Sequence, residues 1–207
     1  MIAIVDYGVG NLFSLKSSFS FIGQEAEFTG DPARILAADR VVLPGVGAFG
    51  DAADKLRANG LDKAVCEAAG LGTPLLGICL GMQLLFEYSE EFGTHKGLGL
   101  IPGRVMSMRS VVPEELKLPQ IGWNGLHLIG THPLFRNTRE GDQVYFVHSF
   151  HGTDCADSLL ATTEYGGSIT AAVGKANVMG CQFHPEKSGK VGLSILKAFA
   201  ETENYSC

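Results

Sequence analysis

The segment LLGICLGMQLLFE, residues 75–87, runs from an apolar, strand-like stretch directly into a helical pattern. Its cysteine, Cys79, lies between Gly77 and Gly81, and no other cysteine of the chain has this spacing. A tight strand-to-helix turn would bring neighbouring chain so close that β-carbons at the two glycine positions would clash. The spacing therefore predicts a nucleophile elbow, a strained turn that exposes the thiol above the edge of a sheet.

A helix that begins at Leu80 would direct its free N–H groups and its positive dipole end toward the sulfur of Cys79. Both effects favour the thiolate form, which is the nucleophilic form of cysteine. The competing interpretation is a small apolar residue at a strand–helix junction, because free cysteines are often simply part of a core. The choice between them depends on whether a base lies within reach.

The best candidate for this base is in GCQFHPEKS, residues 180–188. His184 follows an apolar strand that should end at the same sheet edge as the elbow, and the proline after it stops the strand. Glu186 can turn back toward the imidazole and orient it, as the third group of a catalytic triad does. His148 and His151, which flank a strand end, remain alternatives, and a solvated turn with a chance acid is the structural interpretation.

The segment LPGVGAFG, residues 43–50, is the candidate second half of an oxyanion hole. The amide of Leu80, directly after the cysteine, should supply one donor to a developing oxyanion. The Val46–Gly47 peptide, which lies between glycines and can reorient at little steric cost, should supply the other. A phosphate cradle is the alternative, although the segment lacks the Lys-Ser/Thr pair of a P-loop.

Apolar runs alternate with helical stretches through the first half of the chain, a pattern typical of a parallel sheet covered on both faces. Past residue 100 the pattern changes to strand-like pieces separated by Gly, Asn and Asp, which predicts antiparallel strands and hairpins. We predict one α/β domain over residues 1–207, with a mainly parallel central sheet. The predicted helices cover residues 11–22, 50–69, 80–88 and 190–201.

Composition excludes several classes of function. The formal net charge of −6 and the absence of a basic run argue against nucleic acid as a partner. No apolar stretch approaches the roughly 20 residues that span a bilayer, and the N-terminus lacks the features of a signal peptide, so we expect a cytoplasmic protein. The five cysteines form no C-x-x-C pair, which indicates reduced thiols. We expect Cys66 and Cys181 in the core, and Cys155 and Cys207 at the surface.

The segments GICLGMQLLFE, FHPEKS and LPGVGAFG together resemble the class I, triad-type glutamine amidotransferase family, over nearly the whole chain. Within that family, DYGVGNL at 6–12, GWN at 122–124 and YFVHSF at 145–150 are similar to the glutaminase subunits of imidazole glycerol phosphate synthases. The resemblance implies the class I amidotransferase fold. It also implies that ammonia is released from L-glutamine through a γ-glutamyl thioester on Cys79, with His184 as base and then acid, and Glu186 orienting it.

The resemblance further implies a partner. Ammonia would pass to a separate cyclase subunit, which would be a (β/α) barrel, and the two proteins would form a heterodimer. The cyclase would use the ammonia to make imidazole glycerol phosphate and aminoimidazole carboxamide ribonucleotide during histidine synthesis. No metal and no other cofactor is expected.

Two further sets of residues follow from the resemblance. The expected substrate-binding residues are Gln83, Glu91, His148, Ser149 and Phe150, the last three through their backbone. The expected contacts with the cyclase are Asn11, Trp123, Tyr145 and Lys187. For Gln83 and Glu91 the alternative is an ordinary helix-surface position, and for Trp123 it is a core aromatic.

Three other functions stay open at the level of sequence. The chain could be a glutaminase of the same family that serves guanylate or pyridoxal phosphate synthesis, although such relatives are not expected to carry both DYGVGNL and GWN. It could be a freestanding cysteine hydrolase, such as a γ-glutamyl peptidase on the same fold. A catalytically silent binding protein is a fourth option, and the intact Cys79, His184 and Glu186 argue against it.

Overall fold

Residues 1–202 are described in a computed structural model, and they are arranged around an eight-stranded sheet. The strands are β1 (Ile2–Val5), β2 (Ala26–Thr29), β3 (Arg40–Leu43), β4 (Leu75–Ile78), β5 (Tyr88–Ser89), β6 (His95–Lys96), β7 (Arg104–Ser107), β8 (Gln120–Gly125), β9 (His127–Leu128), β10 (Gln143–His148), β11 (Phe150–Thr153), β12 (Leu159–Glu164), β13 (Ser168–Lys175) and β14 (Val178–Cys181). The α-helices are α1 (Leu12–Phe21), α2 (Pro32–Leu36), α3 (Phe49–Ala58), α4 (Leu61–Gly70), α5 (Leu80–Leu84) and α6 (Gly189–Glu201).

The large sheet has the strand order β2-β1-β3-β4-β14-β13-β12-β9. Its first five strands pair in parallel, and β1, β4 and β14 are buried along their whole length. Strands of this kind are continuous apolar runs because helices cover both faces of a parallel sheet. One core cluster packs α2, α3 and α4 against one face, and a second packs α1 and α6 against the other. The predicted α/β class with a mainly parallel central sheet is confirmed.

The position of β14 brings the two candidate catalytic segments together. This late strand pairs in parallel with β4, so that Cys181 lies opposite Ile78, and the amide of Cys79 donates to the carbonyl oxygen of Cys181 at 2.8 Å. On its other side β14 pairs antiparallel with β13. Carboxyl ends of parallel neighbours meet at one sheet edge. The elbow and the segment that carries His184 therefore emerge side by side.

The antiparallel strands predicted for the second half are present, and they form more than one sheet. Besides β13, β12 and β9 at the far side of the large sheet, β10 pairs with β8, and β11-β7-β5-β6 form a four-stranded sheet. In that small sheet β5 pairs with β7 in parallel, whereas its other pairs are antiparallel. Strand β10 adjoins the carboxyl edge of the parallel strands, because the carbonyl oxygen of Tyr145 accepts a hydrogen bond from the amide of His184 at 2.9 Å.

Several predicted boundaries were wrong. The single helix predicted over 50–69 is two helices, α3 and α4, because Gly60 adopts a left-handed φ of +67° that a continuing helix does not allow. The helix predicted over 80–88 ends at Leu84, and the chain then enters β5. Strand β2 and helix α2 were not predicted, since β2 lies at the sheet edge with Glu27 half-exposed and lacks a continuous apolar run.

The cysteines differ partly from expectation. Cys181 is fully buried, as predicted, whereas Cys66 is half-buried rather than in the core. The surface prediction for Cys155 was wrong, because only 6% of this residue is exposed, and burial raises the pKa of its thiol. Cys207 lies outside the described residues. Within residues 1–202, none of the helices is apolar over a length that could cross a membrane.

Candidate active site

The junction of β4 and α5 has the strained geometry that the sequence predicts. Cys79 adopts φ 55° and ψ −114°, a region that L-residues rarely occupy and that costs on the order of 1–3 kcal/mol. A β-carbon on Gly81 would overlap the carbonyl oxygen of Leu43, and one on Gly77 would lie 2.7 Å from the carbonyl oxygen of Gly81. The predicted steric need for both glycines is confirmed. The tight turn that they allow places Cys79 at the N-terminal end of α5.

His184 lies beside Cys79 and is held by Glu186. The imidazole Nδ1 is 2.8 Å from Oε1 of Glu186, and the two side chains are 3% and 1% exposed. Burial by itself lowers the pKa of His184, but its interactions with Cys79 and Glu186 outweigh burial and raise that pKa to about 9. A histidine that is cationic at neutral pH stabilises negative charge on the neighbouring sulfur. The three side chains thus have the order of a nucleophile, a base and an orienting carboxylate.

A pocket of about 480 Å³ opens at this point. It is large enough for a free amino acid, and most of the residues singled out in the sequence line it. The predicted residues in its wall are Val46, Gly47, Cys79, Leu80, Gln83, Glu91, His148, Ser149, Phe150 and His184. Glu186 is the predicted catalytic residue outside the wall, because it is bonded to the far nitrogen of the His184 ring.

The loop between β3 and α3 packs directly on the start of α5. A β-carbon at Gly45 would lie 2.8 Å from the amide nitrogen of Gly81, so this close approach requires glycine. Gly47 has a positive φ of 93°, and Val46 is 41% exposed. Val46, Gly47 and Leu80 therefore line one pocket together with Cys79, a placement that an oxyanion hole needs.

Gln83 and Phe150 form one hydrogen-bonded group in the pocket wall. Nε2 of Gln83 donates to the carbonyl oxygen of Phe150 at 3.0 Å, and Gln83 is only 4% exposed, so the helix-surface interpretation was wrong. Nδ1 of His148 bonds to the same oxygen at 2.8 Å. Burial lowers the pKa of His148 to about 4, so its ring is neutral at pH 7 and Nδ1 carries the donated proton.

Glu91 lies where the pocket meets the start of α3. Its Oε2 accepts a hydrogen bond from the backbone amide of Phe49 at 2.7 Å. The carboxylate thus stabilises the positive end of α3 while it lines the pocket. A carboxylate has further lone pairs, so this bond leaves Glu91 able to accept another donor.

Comparison with known proteins agrees with this geometry. The family model described as glutamine amidotransferase class-I matches residues 3–202. The chain belongs to the class I glutamine amidotransferases.

Two curated relatives, from Syntrophotalea carbinolica and Sulfurimonas denitrificans, are both named imidazole glycerol phosphate synthase subunit HisH. The amidotransferase is 48% identical to the first, over 97% of its own length and 100% of the relative's. It is 49% identical to the second, over 99% of both chains.

Solved structures share the fold of this amidotransferase at low sequence identity. The structure of PurLQS from Thermotoga maritima has a TM-score of 0.75 at 19% identity, with 96% of each chain covered. A glutamine amidotransferase from the same organism has a TM-score of 0.68 at 15% identity, covering 97% of this chain and 98% of that one. These likenesses support the predicted class I amidotransferase fold.

Three of the four predicted partner contacts form one surface row on the amidotransferase, which we call the aromatic row: Trp123, Tyr145 and Lys187. The ring centroids of Trp123 and Tyr145 are 6.0 Å apart, and Nζ of Lys187 is 5.7 Å from the centroid of the Tyr145 ring. Trp123 is 52% exposed, so the core interpretation of this residue was wrong. Asn11, the fourth, lies at the start of α1, and its side chain makes no capping hydrogen bond to that helix.

Two residues of the site were missed from the sequence. The hydroxyl of Tyr7, which is 3% exposed, donates to the carbonyl oxygen of Pro44 at 2.7 Å and so holds the loop that carries Val46 and Gly47. Nε2 of Gln182 donates to Sγ of Cys79 at 3.7 Å. Both residues lie inside the motifs DYGVGNL and GCQFHPEKS, which was the only signal available to find them.

Replacement of Glu186 by glutamine is expected to lower the pKa of His184 from about 9. Because folding raises the pKa of His184, its protonation stabilises the folded state. This stabilisation is complete at pH values below the unfolded-state pKa of about 6.5, and it is lost as the pH rises through about 9. The substitution should therefore lower the free energy of unfolding by about 3 kcal/mol at pH 7 and by much less at pH 9.5. Urea unfolding at both pH values measures this difference, and an equal loss at both would contradict the ion pair.

Proposed function

We propose that this amidotransferase is the glutaminase subunit of an imidazole glycerol phosphate synthase, which supplies ammonia to a separate cyclase subunit in the cytoplasm. The observation that carries the proposal is similarity over essentially the full length to relatives named as that subunit. The chemistry of the pocket supports it, because a cysteine, a histidine and a carboxylate lie together beside a space for a free amino acid.

In the proposed reaction, Sγ of Cys79 attacks the γ-carboxamide carbon of L-glutamine. The oxyanion that forms accepts hydrogen bonds from the amide of Leu80 and from the Val46–Gly47 peptide. His184, which has taken the proton of the Cys79 thiol, donates it to the departing nitrogen, which leaves as ammonia, and a γ-glutamyl thioester remains. His184 then removes a proton from water, and the attack of the resulting hydroxide breaks the C–S bond and releases glutamate. His184 returns this proton to the sulfur, which restores the thiol.

The pocket wall suits the two ends of a free amino acid. The carboxylate of Glu91 is the partner for the substrate ammonium group, because it lines the pocket and has lone pairs beyond the one given to Phe49. Gln83 and the backbone of residues 148–150 form the polar wall opposite, which we assign to the remaining polar groups of glutamine. Glu186 takes no part in binding, and its role is to orient His184.

We place the cyclase, a (β/α) barrel, on the aromatic row and Asn11. Trp123 lies on β8 with Ile121, which is 62% exposed on the same face of the strand. Trp and Tyr are enriched among the residues that carry most of the binding energy near the centres of protein interfaces. The row also contacts the catalytic segment, since the amide of His184 donates to the carbonyl oxygen of Tyr145 at 2.9 Å. A shift of the aromatic row when the liganded cyclase docks can therefore be transmitted to His184 through this hydrogen bond.

The experiment that tests this function is glutamate release from glutamine, measured with the chain alone and with the cyclase plus its nucleotide. We expect slow release alone and an increase of about 10- to 100-fold with the liganded partner. No increase would refute the proposal. Fast release without any partner would instead support a freestanding hydrolase.

Trp123→Ala is expected to weaken activation by the cyclase about 10-fold or more, since an exposed aromatic anchor is removed from the interface. Basal glutamate release by the isolated chain should not change. Leu71→Ala is the matched control, because Leu71 is also a large exposed apolar residue, at 72%, and follows α4. Activation by titrated cyclase measures both variants, and equal behaviour would show that the interface lies elsewhere.

A further inference from the structure

Gln182 is completely buried between Cys79 and Gln83, and the reaction described above gives it no task. Its Nε2 donates to Sγ of Cys79 at 3.7 Å, and its Oε1 accepts from Nε2 of Gln83 at 3.0 Å. Its backbone amide donates to the carbonyl oxygen of Ala171 at 2.8 Å, which ties it to β13. Burial of an amide side chain is unfavourable unless its polar atoms are bonded, so these contacts determine its position.

The orientation of the Gln182 amide follows from its neighbours. The carbonyl oxygen of Phe150 can only accept, so Gln83 has to present its Nε2 to it. The same nitrogen also donates to the Gln182 side chain, which must therefore present its acceptor, Oε1, to Gln83. If the Gln182 amide were rotated by half a turn, its Nε2 would face Nε2 of Gln83, and two donors would lie opposite each other without an acceptor. Nε2 of Gln182 is therefore directed at the sulfur of Cys79.

We propose that Gln182 is a positioning residue that holds the Cys79 sulfur through this N–H···S hydrogen bond and connects it, through Gln83, to the carbonyl of Phe150. The assignment deepens the proposed function and rests on Cys79 as the nucleophile. A donor directed at sulfur stabilises the thiolate relative to the thiol and restricts rotation of the side chain. The nucleophile thereby keeps a constant spacing from the backbone that we assign to substrate binding.

The other titratable groups that face the sulfur do not replace this donor. Burial raises the pKa of both Tyr7 and Cys181, so both groups are neutral at pH 7. The hydroxyl of Tyr7 donates to Pro44 rather than to the sulfur. His184 is the charged neighbour, and its proton is the one that the leaving nitrogen takes. Gln182 differs from His184 because its donor stays in place throughout the reaction.

The test uses two variants of the full chain and one control. Gln182→Met keeps the length of the side chain and removes the donor, and Gln182→Glu keeps the shape and replaces the donor with an acceptor. Thr170→Val is the control, because it deletes the buried hydrogen bonds of a β13 hydroxyl, to the Gly152 carbonyl oxygen at 2.7 Å and to the Cys155 thiol, without removing a group that bonds to Sγ of Cys79. All three should lose stability, whereas only the first two should change the chemistry of Cys79.

Carbamidomethylation of Cys79 by iodoacetamide, followed by peptide mass spectrometry, is the first readout. At pH 7 we expect Gln182→Met to react about 10-fold more slowly than the unaltered chain and Gln182→Glu more slowly still, with Thr170→Val unchanged. Unaltered rates in both Gln182 variants, or an equal slowing in Thr170→Val, would overturn the proposal and leave Gln182 with a packing role.

Glutamine turnover is the second readout. The kcat of Gln182→Met should fall about 10-fold with a smaller change in KM, because the donor to the nucleophile is lost whereas Gln83 keeps its hydrogen bond to the carbonyl oxygen of Phe150. A rise in KM alone would contradict a role at the sulfur. Alkylation needs neither glutamine nor the cyclase, so failure of the cyclase to activate the chain would refute the proposed function without deciding the role of Gln182.

Discussion

Cys79→Ala is expected to abolish glutamine-dependent synthesis by the complex with the cyclase, a loss of about 10⁴-fold or more, while ammonia-dependent synthesis continues. The reason is that no thioester can form without the sulfur, whereas the cyclase takes free ammonia directly. Folding should be preserved, because alanine and cysteine both carry a β-carbon and meet the same strain at φ 55°. Only the sulfur atom is removed.

Glutamate release and product formation, each measured with glutamine and with ammonium salt, check this prediction. Cys66→Ala is the matched control, since Cys66 is a half-buried thiol on α4 that is not among the residues lining the pocket. It should retain both activities. If Cys79→Ala also lost ammonia-dependent synthesis, the two reactions would not occur at separate sites. If it kept glutamine-dependent synthesis, Cys79 would not be the nucleophile.

Gly81→Ala is expected to cause the largest loss of stability, about 4 kcal/mol of the free energy of unfolding, together with loss of glutaminase activity. The added β-carbon would overlap the carbonyl oxygen of Leu43, which belongs to the backbone of β3. That strand pairs with β1 on one side and β4 on the other, so it cannot move away from the added β-carbon. The clash must therefore be relieved by moving α5 and, with it, the elbow.

Gly70→Ala is the control for this substitution. Gly70 ends α4, its φ is not positive, and a β-carbon there would meet nothing within 4 Å. Alanine at such a position should be neutral or stabilising by a few tenths of a kcal/mol, because it restricts the unfolded chain. Chemical unfolding of both variants measures the difference. A loss of less than about 1 kcal/mol for Gly81→Ala would mean that the turn tolerates a side chain.

The elbow shows what short-range sequence can predict. Gly77 and Gly81 are needed because the chain passes close to itself within a few residues, and this requirement is local. The pairing of His184 with Glu186 is equally local, since a single residue, Pro185, separates them. The fate of Cys155 is different, because its burial depends on strands that lie far away in the sequence, and the prediction for it was wrong.

The break between α3 and α4 marks another limit. The apolar spacing over residues 50–69 suits one long helix, and Gly60 is a weak signal in such a pattern because helices tolerate isolated glycines. In the folded chain the left-handed φ of Gly60 allows α4 to begin in a new direction. Both helices then pack with α2 in the same core cluster. Tertiary packing outweighed local helix propensity here.

The sequence by itself determined the identity of the reactive segments, because the steric limits of a glycine-framed turn and the reach of a carboxylate across one proline are properties of a few bonded residues. Tertiary structure alone decided which distant groups meet them. Tyr7 reaches Pro44, Glu91 reaches the start of α3, and Gln182 reaches the sulfur of Cys79. These contacts join residues 37, 42 and 103 positions apart. The first follows from the parallel pairing of β1 with β3 and the third from that of β4 with β14, pairings that bring separate parts of the chain to one edge.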